Sequence, residues 1–160
     1  MEIIENALDT KLHQHLSSII MKESEFPFYY VKGVANKTDT DFYFDHILFN
    51  LEKGVNSPYF NSVGLPLLGL INYKTLIRMK INCYTNQGKQ IVNNFHVDST
   101  TPHKVALYTI NSNNGYTEFE TGEKVISKAN QMIKFNGLTK HRSVTQNDTD
   151  IRINININYV

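Results

Sequence analysis

At 160 residues the chain has the size of one ordinary domain and can bury a core without covalent staples. Sixteen Lys and Arg against fifteen Asp and Glu leave a net charge of +1, so no global basic field argues for a nucleic-acid partner. Cys83 is the only cysteine, which excludes an intramolecular disulfide and a cysteine-based zinc site and fits a reducing compartment.

The opening stretch, MEIIENALDTKLHQHLSSIIMKE, mixes acidic residues into its apolar positions and does not read as a secretory signal. No later run approaches the roughly eighteen consecutive apolar residues of a membrane span. A cytoplasmic protein without membrane contact is expected. Within residues 6–22, Leu8, Leu12, Leu16, Ile19 and Ile20 fall at helical spacing, with His13 and His15 expected on the solvent side. FPFYYVKGV, 26–34, is aromatic and β-branched after a proline and predicts a short strand. Residues 36–56 are aromatic without a clean period and read as irregular. Ser57 before Pro58 predicts a helix start leading to about residue 72, with Pro66 interrupting that helix or beginning a second one.

From residue 74 the character changes. Strand-like runs at 75–84, 89–96, 104–111, 116–120, 123–128, 131–136, 141–146 and 150–159 are separated by TNQG, NSNNG, ETGE and NGLTK turn chemistry. Eight short strands behind a helical preface predict a mainly β fold, a jelly roll with the N-terminal helices packed on its major sheet. The expected organisation is one domain over 1–160, with 1–73 a mainly helical cover and 74–160 the jelly-roll core.

The last strand poses the functional question. In IRINININYV, Ile151, Ile153, Ile155 and Ile157 alternate with Arg152, Asn154, Asn156 and Asn158. A solvated polar face would explain this pattern as well as a polar cavity would. LIRMKINCY repeats it, with Arg78, Lys80, Asn82 and Tyr84 opposite Ile77, Met79, Ile81 and Cys83. Turning the polar faces inward gives the N-terminal helices an apolar sheet face to cover, and leaves a polar hollow that must hold a ligand.

NNFHVDST places His96 and Asp98 two apart, and GLTKHRSVT adds His141. Two imidazoles and a carboxylate on one face of a metal are the donor set of non-haem Fe(II) oxygenases. His-x-Asp alone is a weak signal; Arg152, eleven positions after His141, strengthens it. In this order and spacing the chain resembles the 2-oxoglutarate- and Fe(II)-dependent dioxygenases, in particular small prolyl-hydroxylase-like members of phages and bacteria. LYTINSNNGYTEFETGE is similar to a strand-turn-strand of that branch, with NNGY replacing its Gly-Gly, and the likeness spans roughly 74–159. The resemblance implies a double-stranded β-helix in which His96, Asp98 and His141 hold Fe(II) and Arg152 anchors the co-substrate 2-oxoglutarate. It further implies that Tyr84 matches a co-substrate tyrosine, with Asn154 adding a hydrogen bond. O2 is then consumed and succinate and CO2 released as an organic substrate, a peptidyl or free amino-acid side chain, is hydroxylated. No general base or covalent nucleophile is expected.

Two alternatives stay open: a nucleic-acid demethylase of the same superfamily, whose second arginine has no counterpart at Asn158, and a non-catalytic cupin-like binding module. The expected partner is a small-molecule or peptide substrate; nothing in the sequence specifies an oligomeric state. Among the remaining candidates, His46 reads as a packing residue, His103 as a loop residue with a chance of touching substrate, and Arg142 as a surface or salt-bridge residue. Arg78 and Lys80 fit anionic substrate and structural charge pairing equally well.

Overall fold

A computed structural model describes residues 1–22, 25–33 and 41–160. Its elements, in chain order, are β1 (Glu2–Ile4), α1 (Thr10–Met21), β2 (Tyr29–Lys32), β3 (Phe42–Asn50), β4 (Gly54–Val55), a π-helical turn (Phe60–Gly64) and α2 (Leu65–Leu68). There follow β5 (Leu76–Thr85), β6 (Lys104–Thr109), β7 (Tyr116–Phe119), β8 (Lys124–Ile126), β9 (Gln131–Asn136), β10 (His141–Val144) and β11 (Ile151–Tyr159).

The strands form two antiparallel sheets. The major one runs β1-β9-β6-β11-β5-β3-β2, with β4 paired to β3, and the minor one runs β10-β7-β8. This mainly β arrangement is the predicted jelly roll. Strand β11 lies at the centre of the major sheet, between β5 and β6. From Arg152 to Tyr159 every residue of it is buried, so its asparagines do not face water.

The isoleucine face of β11 and the Met79, Ile81 and Cys83 face of β5 join Leu16, Ile19, Ile20, Leu67 and Leu68 of the helices in one core. Burying these side chains together stabilises helix and sheet at once, at about 25 cal/mol per Å² of apolar surface. Asp9 caps α1 by accepting a hydrogen bond from the Lys11 amide at 3.0 Å. No described helix is long and apolar enough to cross a membrane.

Five expectations need correction. The described part of 1–73 is not mainly helical, and 42–50 and 54–55 are not irregular: β1 to β4 lie there, because the aromatic run at 42–50 pairs with β5 on one side and β2 on the other. The part of the irregular reading at 36–40, and residue 34 of the first predicted strand, lie outside the described residues. The helix predicted for 58–72 is a π-helical turn followed by four α-helical residues; Pro66 sits in the first turn of that second piece, where its missing amide is tolerated. No strand forms at 89–96. That segment lies along β10 through isolated bridges at Val92 and His96, and the Asn93 backbone N–H and side-chain Nδ2 both bond the Ser143 carbonyl, with Nδ2 also on the Ser143 hydroxyl. Finally, His13 is half-buried rather than solvated, with Nδ1 2.7 Å from the Tyr108 hydroxyl.

Candidate metal and co-substrate site

The polar faces of β5 and β11 bound a cavity of about 240 Å³ between the two sheets. His96, Asp98 and His141 meet at its rim, with one potential ligand atom from each lying within 4.8 Å of the others. Pairing of the backbones of His96 and His141, with N–H···O distances of 2.9 and 3.0 Å, brings the two rings together from distant parts of the chain. The His141 Nδ1 donates to the Thr139 carbonyl at 3.0 Å, which leaves Nε2 as the lone-pair nitrogen. Burial lowers the His141 pKa and keeps the ring neutral, the form a metal needs.

Asp98 is held from three sides. Asn156 and Asn158 both donate from Nδ2 to its Oδ2, at 2.9 and 2.8 Å, and Arg78 Nη2 lies 3.4 Å from Oδ1. Burial alone would raise this carboxyl; the Arg78 charge, the two amides and His141 outweigh it and hold the pKa down at about 2. The carboxylate is therefore ionised over the whole physiological range.

At the opposite end of the same face Arg152 is 2 % exposed. Its Nε donates to Ser127 Oγ at 2.8 Å and its Nη2 to Thr117 Oγ1 at 3.4 Å, while Nη1 has no hydrogen-bond partner. No carboxylate among the described residues pairs with it. The Tyr84 ring lies 5.3 Å from the guanidinium carbon, and its hydroxyl bonds Ser143. Asn154 lines the cavity and accepts from Asn82 at 2.8 Å, leaving the buried Asn82 Oδ1 unpartnered.

All six residues singled out from the sequence thus line one cavity: His96, Asp98 and His141 at the rim, Arg152 and Tyr84 on the floor, Asn154 between them. His46 is the packing residue expected, held by the Pro27 carbonyl at 2.8 Å and Ser57 Oγ at 2.6 Å. Arg142 pairs with Glu118 at 2.8 Å, away from the cavity. His103 is buried against Gly137 and does not line the cavity. Sequence reasoning missed Ser127 and Thr117, which orient the guanidinium, and the Asn156–Asn158 clamp on Asp98. It also missed Gly115 in NNGY, where a Cβ would stand 2.7 Å from the Arg152 Cδ. Only the Asn repeat in β11 signalled any of these.

The donor set and the uncompensated guanidinium fit a divalent metal with a dianionic ligand beside it. Two His nitrogens and one carboxylate suit Fe(II) with further positions open. A planar cation with a free Nη1 suits a carboxylate.

No protein-family model matches the sequence, and no curated protein matches it. The fold, by contrast, matches solved structures of 2-oxoglutarate-Fe(II) oxygenases. An oxidoreductase of that family from Burkholderia pseudomallei superposes with a TM-score of 0.72 at 14% identity, covering 98% of this chain and 84% of that one. A Trichoplax adhaerens prolyl hydroxylase, in complex with a hypoxia inducible factor peptide fragment, gives 0.68 at 13% identity over 99% and 82%. The viral collagen prolyl hydroxylase of Paramecium Bursaria Chlorella virus-1, solved as a 2-oxoglutarate complex, gives 0.58 at 13% over 99% and 95%. The chain has the jelly-roll fold of these oxygenases. The likeness takes in the N-terminal half as well, where the sequence motifs are silent.

Proposed function

We propose that the chain is an Fe(II)- and 2-oxoglutarate-dependent dioxygenase, acting as one domain, that hydroxylates a peptidyl or free amino-acid side chain. The observation that carries this reading is Arg152: a buried guanidinium with no carboxylate partner among the described residues, on the floor of the cavity whose rim gathers His96, Asp98 and His141. A desolvated cation without a counter-ion is costly, and a ligand carboxylate would remove that cost.

In this reading His96, Asp98 and His141 hold Fe(II), Arg152 binds the distal carboxylate of 2-oxoglutarate, and Tyr84 and Asn154 border that co-substrate. Bound there, metal and co-substrate supply an O2-dependent oxidative decarboxylation that releases succinate and CO2 and hydroxylates the substrate. The protein's own part is positional. Thr139 fixes the His141 tautomer, Asn156 and Asn158 fix Asp98, and Ser127 and Thr117 fix Arg152. The enclosing sheets keep bulk water from the floor. The 2-oxoglutarate bound to the viral collagen prolyl hydroxylase and the peptide bound to the Trichoplax enzyme support this co-substrate and a peptidyl target as one option.

The test is metal and co-substrate binding followed by turnover. The protein is expected to take up about one equivalent of Fe(II), bind 2-oxoglutarate only weakly without metal, and release succinate under air. Protein that binds neither metal nor 2-oxoglutarate would overturn the reading.

A further inference from the structure

Two cations stand at the Asp98 end of the inward face of β5, Arg78 opposite Asn158 and Lys80 opposite Asn156. Arg78 and Lys80 both line the cavity, and each lies in the other's electric field. Their side chains are 28% and 14% exposed, so both have lost most of their water. Neither has a complete counter-ion. Lys80 Nζ has as its close partner a neutral group, the Tyr43 hydroxyl at 2.7 Å, whereas the Asp45 carboxylate is 3.8 Å away. Arg78 reaches Asp98 through one nitrogen at 3.4 Å, and its buried Nε has no hydrogen-bond partner. Paired structural cations are normally hydrogen-bonded to their carboxylates, and an Arg pair of structural value is commonly bidentate.

Charge balance shows what is missing. Among the described residues that line the cavity or pair with its lining, Arg78, Lys80 and Arg152 bring three positive charges, and Asp45 and Asp98 bring two negative ones, a surplus of one. A divalent metal raises the surplus to three and draws on the charge of Asp98, the one anionic contact of Arg78 among the described residues. Dianionic 2-oxoglutarate lowers the surplus to one again, and its distal carboxylate belongs to Arg152. One uncompensated positive charge remains at Arg78 and Lys80, in a partly desolvated site where such a charge is expensive.

We propose that Arg78 and Lys80 form a carboxylate subsite for the substrate, which is therefore a small monocarboxylate such as a free amino acid rather than an internal residue of a peptide. This rests on the dioxygenase reading above and selects between its two substrate classes. An internal peptide residue brings no main-chain carboxylate to the subsite, whereas a free amino acid does. The cavity is also smaller than the roughly 300–1,000 Å³ usual for ligand sites, which suits a compact second ligand.

The test uses protein loaded with redox-inert Zn(II) and saturated with 2-oxoglutarate, titrated calorimetrically with the common free L-amino acids and with their carboxamides. At least one acid is expected to bind about tenfold or more tightly than its own amide, since a charge-assisted contact is lost in the amide. Lys80→Met is expected to erase that preference, and Lys80→Arg to restore it, while the 2-oxoglutarate affinity of both variants stays near that of the parent. Parent protein that binds 2-oxoglutarate yet responds equally to acids and amides, absence of response included, overturns the subsite and leaves the dioxygenase reading standing. Parent protein that binds no 2-oxoglutarate overturns both. A preference that survives in Lys80→Met also overturns the subsite, and should that variant fail to fold, the acid-to-amide comparison in the parent still decides.

Discussion

The two ends of the polar face of β11 are built in opposite senses. Among the described residues, a cation at the floor is supplied with two hydroxyls and no anion; at the rim, an anion is supplied with two amides and a guanidinium. Arg152 is consequently short of a partner and Asp98 is held in one orientation before any ligand arrives. A site waiting for an anion keeps its cation desolvated and unpaired. A site waiting for a metal keeps its carboxylate ionised and aimed. The difference teaches that one strand, by alternating a long cation with short amides, can prepare both halves of a composite ligand site.

The largest effect is expected at the metal ligands. His141→Ala is expected to abolish Fe(II) binding, because two remaining ligands cannot hold the ion at one face, and to lower the melting temperature only in part, since the buried ring leaves its place against Phe119 and Phe135 while the backbone pairing of His96 with His141 is kept. Metal analysis after dialysis reads the first effect and a melting curve the second. Retained stoichiometric iron in the variant would remove His141 from the ligand set.

The floor comes next. Arg152→Met is expected to weaken 2-oxoglutarate binding by roughly 30-fold or more, the effect of losing one partner of a buried charge pair. The ligand-free variant should be as stable as the parent or more so, because replacing an uncompensated buried charge by a hydrophobic side chain relieves desolvation. Equilibrium titration and thermal denaturation of the same samples check both halves. A variant that unfolds would make Arg152 a structural residue. A smaller effect is expected at the rim. Asn158→Leu leaves Asp98 with a single amide and should weaken metal binding by about 10-fold, the low end for a residue that orients a ligand. Its 2-oxoglutarate affinity, measured by titration at saturating metal, should not move.

Why the sequence revealed the rim better than the walls follows from the same geometry. His96 and Asp98 are two apart in extended chain, and His141 and Arg152 lie at the starts of β10 and β11, so their order can be read along the sequence. Ser127, Thr117 and Gly115 act through contacts made only after the minor sheet folds over the major one, and nothing in their local pattern separates them from ordinary turn residues. The period-two alternation in β5 and β11 was legible because both faces are buried for different reasons. The aromatic run of β3 has no such alternation: Phe44 and Phe49 pack on the core side while Tyr43 lines the cavity, and the ladder slips between Ile47 and Phe49. That slip breaks the period by which the strand would have been recognised. The π-helical turn was hidden for a related reason, since Pro66 dictates a break without dictating its form.

The smallest predicted effect separates the rim carboxylate from the buried imidazoles by pH. Burial holds His13, His46 and His141 below the ordinary histidine value of 6.5, so in metal-free protein they stay neutral where the unfolded chain already takes up protons. Each therefore contributes stability that is complete above pH 6.5 and is lost as the pH falls through its lower folded value. Asp98, held at about 2 against a usual 3.8, contributes in a separate window: its share is complete above 3.8 and is lost only toward 2. Urea unfolding of the metal-free protein should accordingly show a first decline just below pH 6.5 and a second below 3.8. His46→Gln, which removes one titrating ring from the Pro27 and Ser57 contacts, should flatten the first decline and leave the second unchanged. A first decline of undiminished slope in that variant would mean that His46 already carries its proton in the fold.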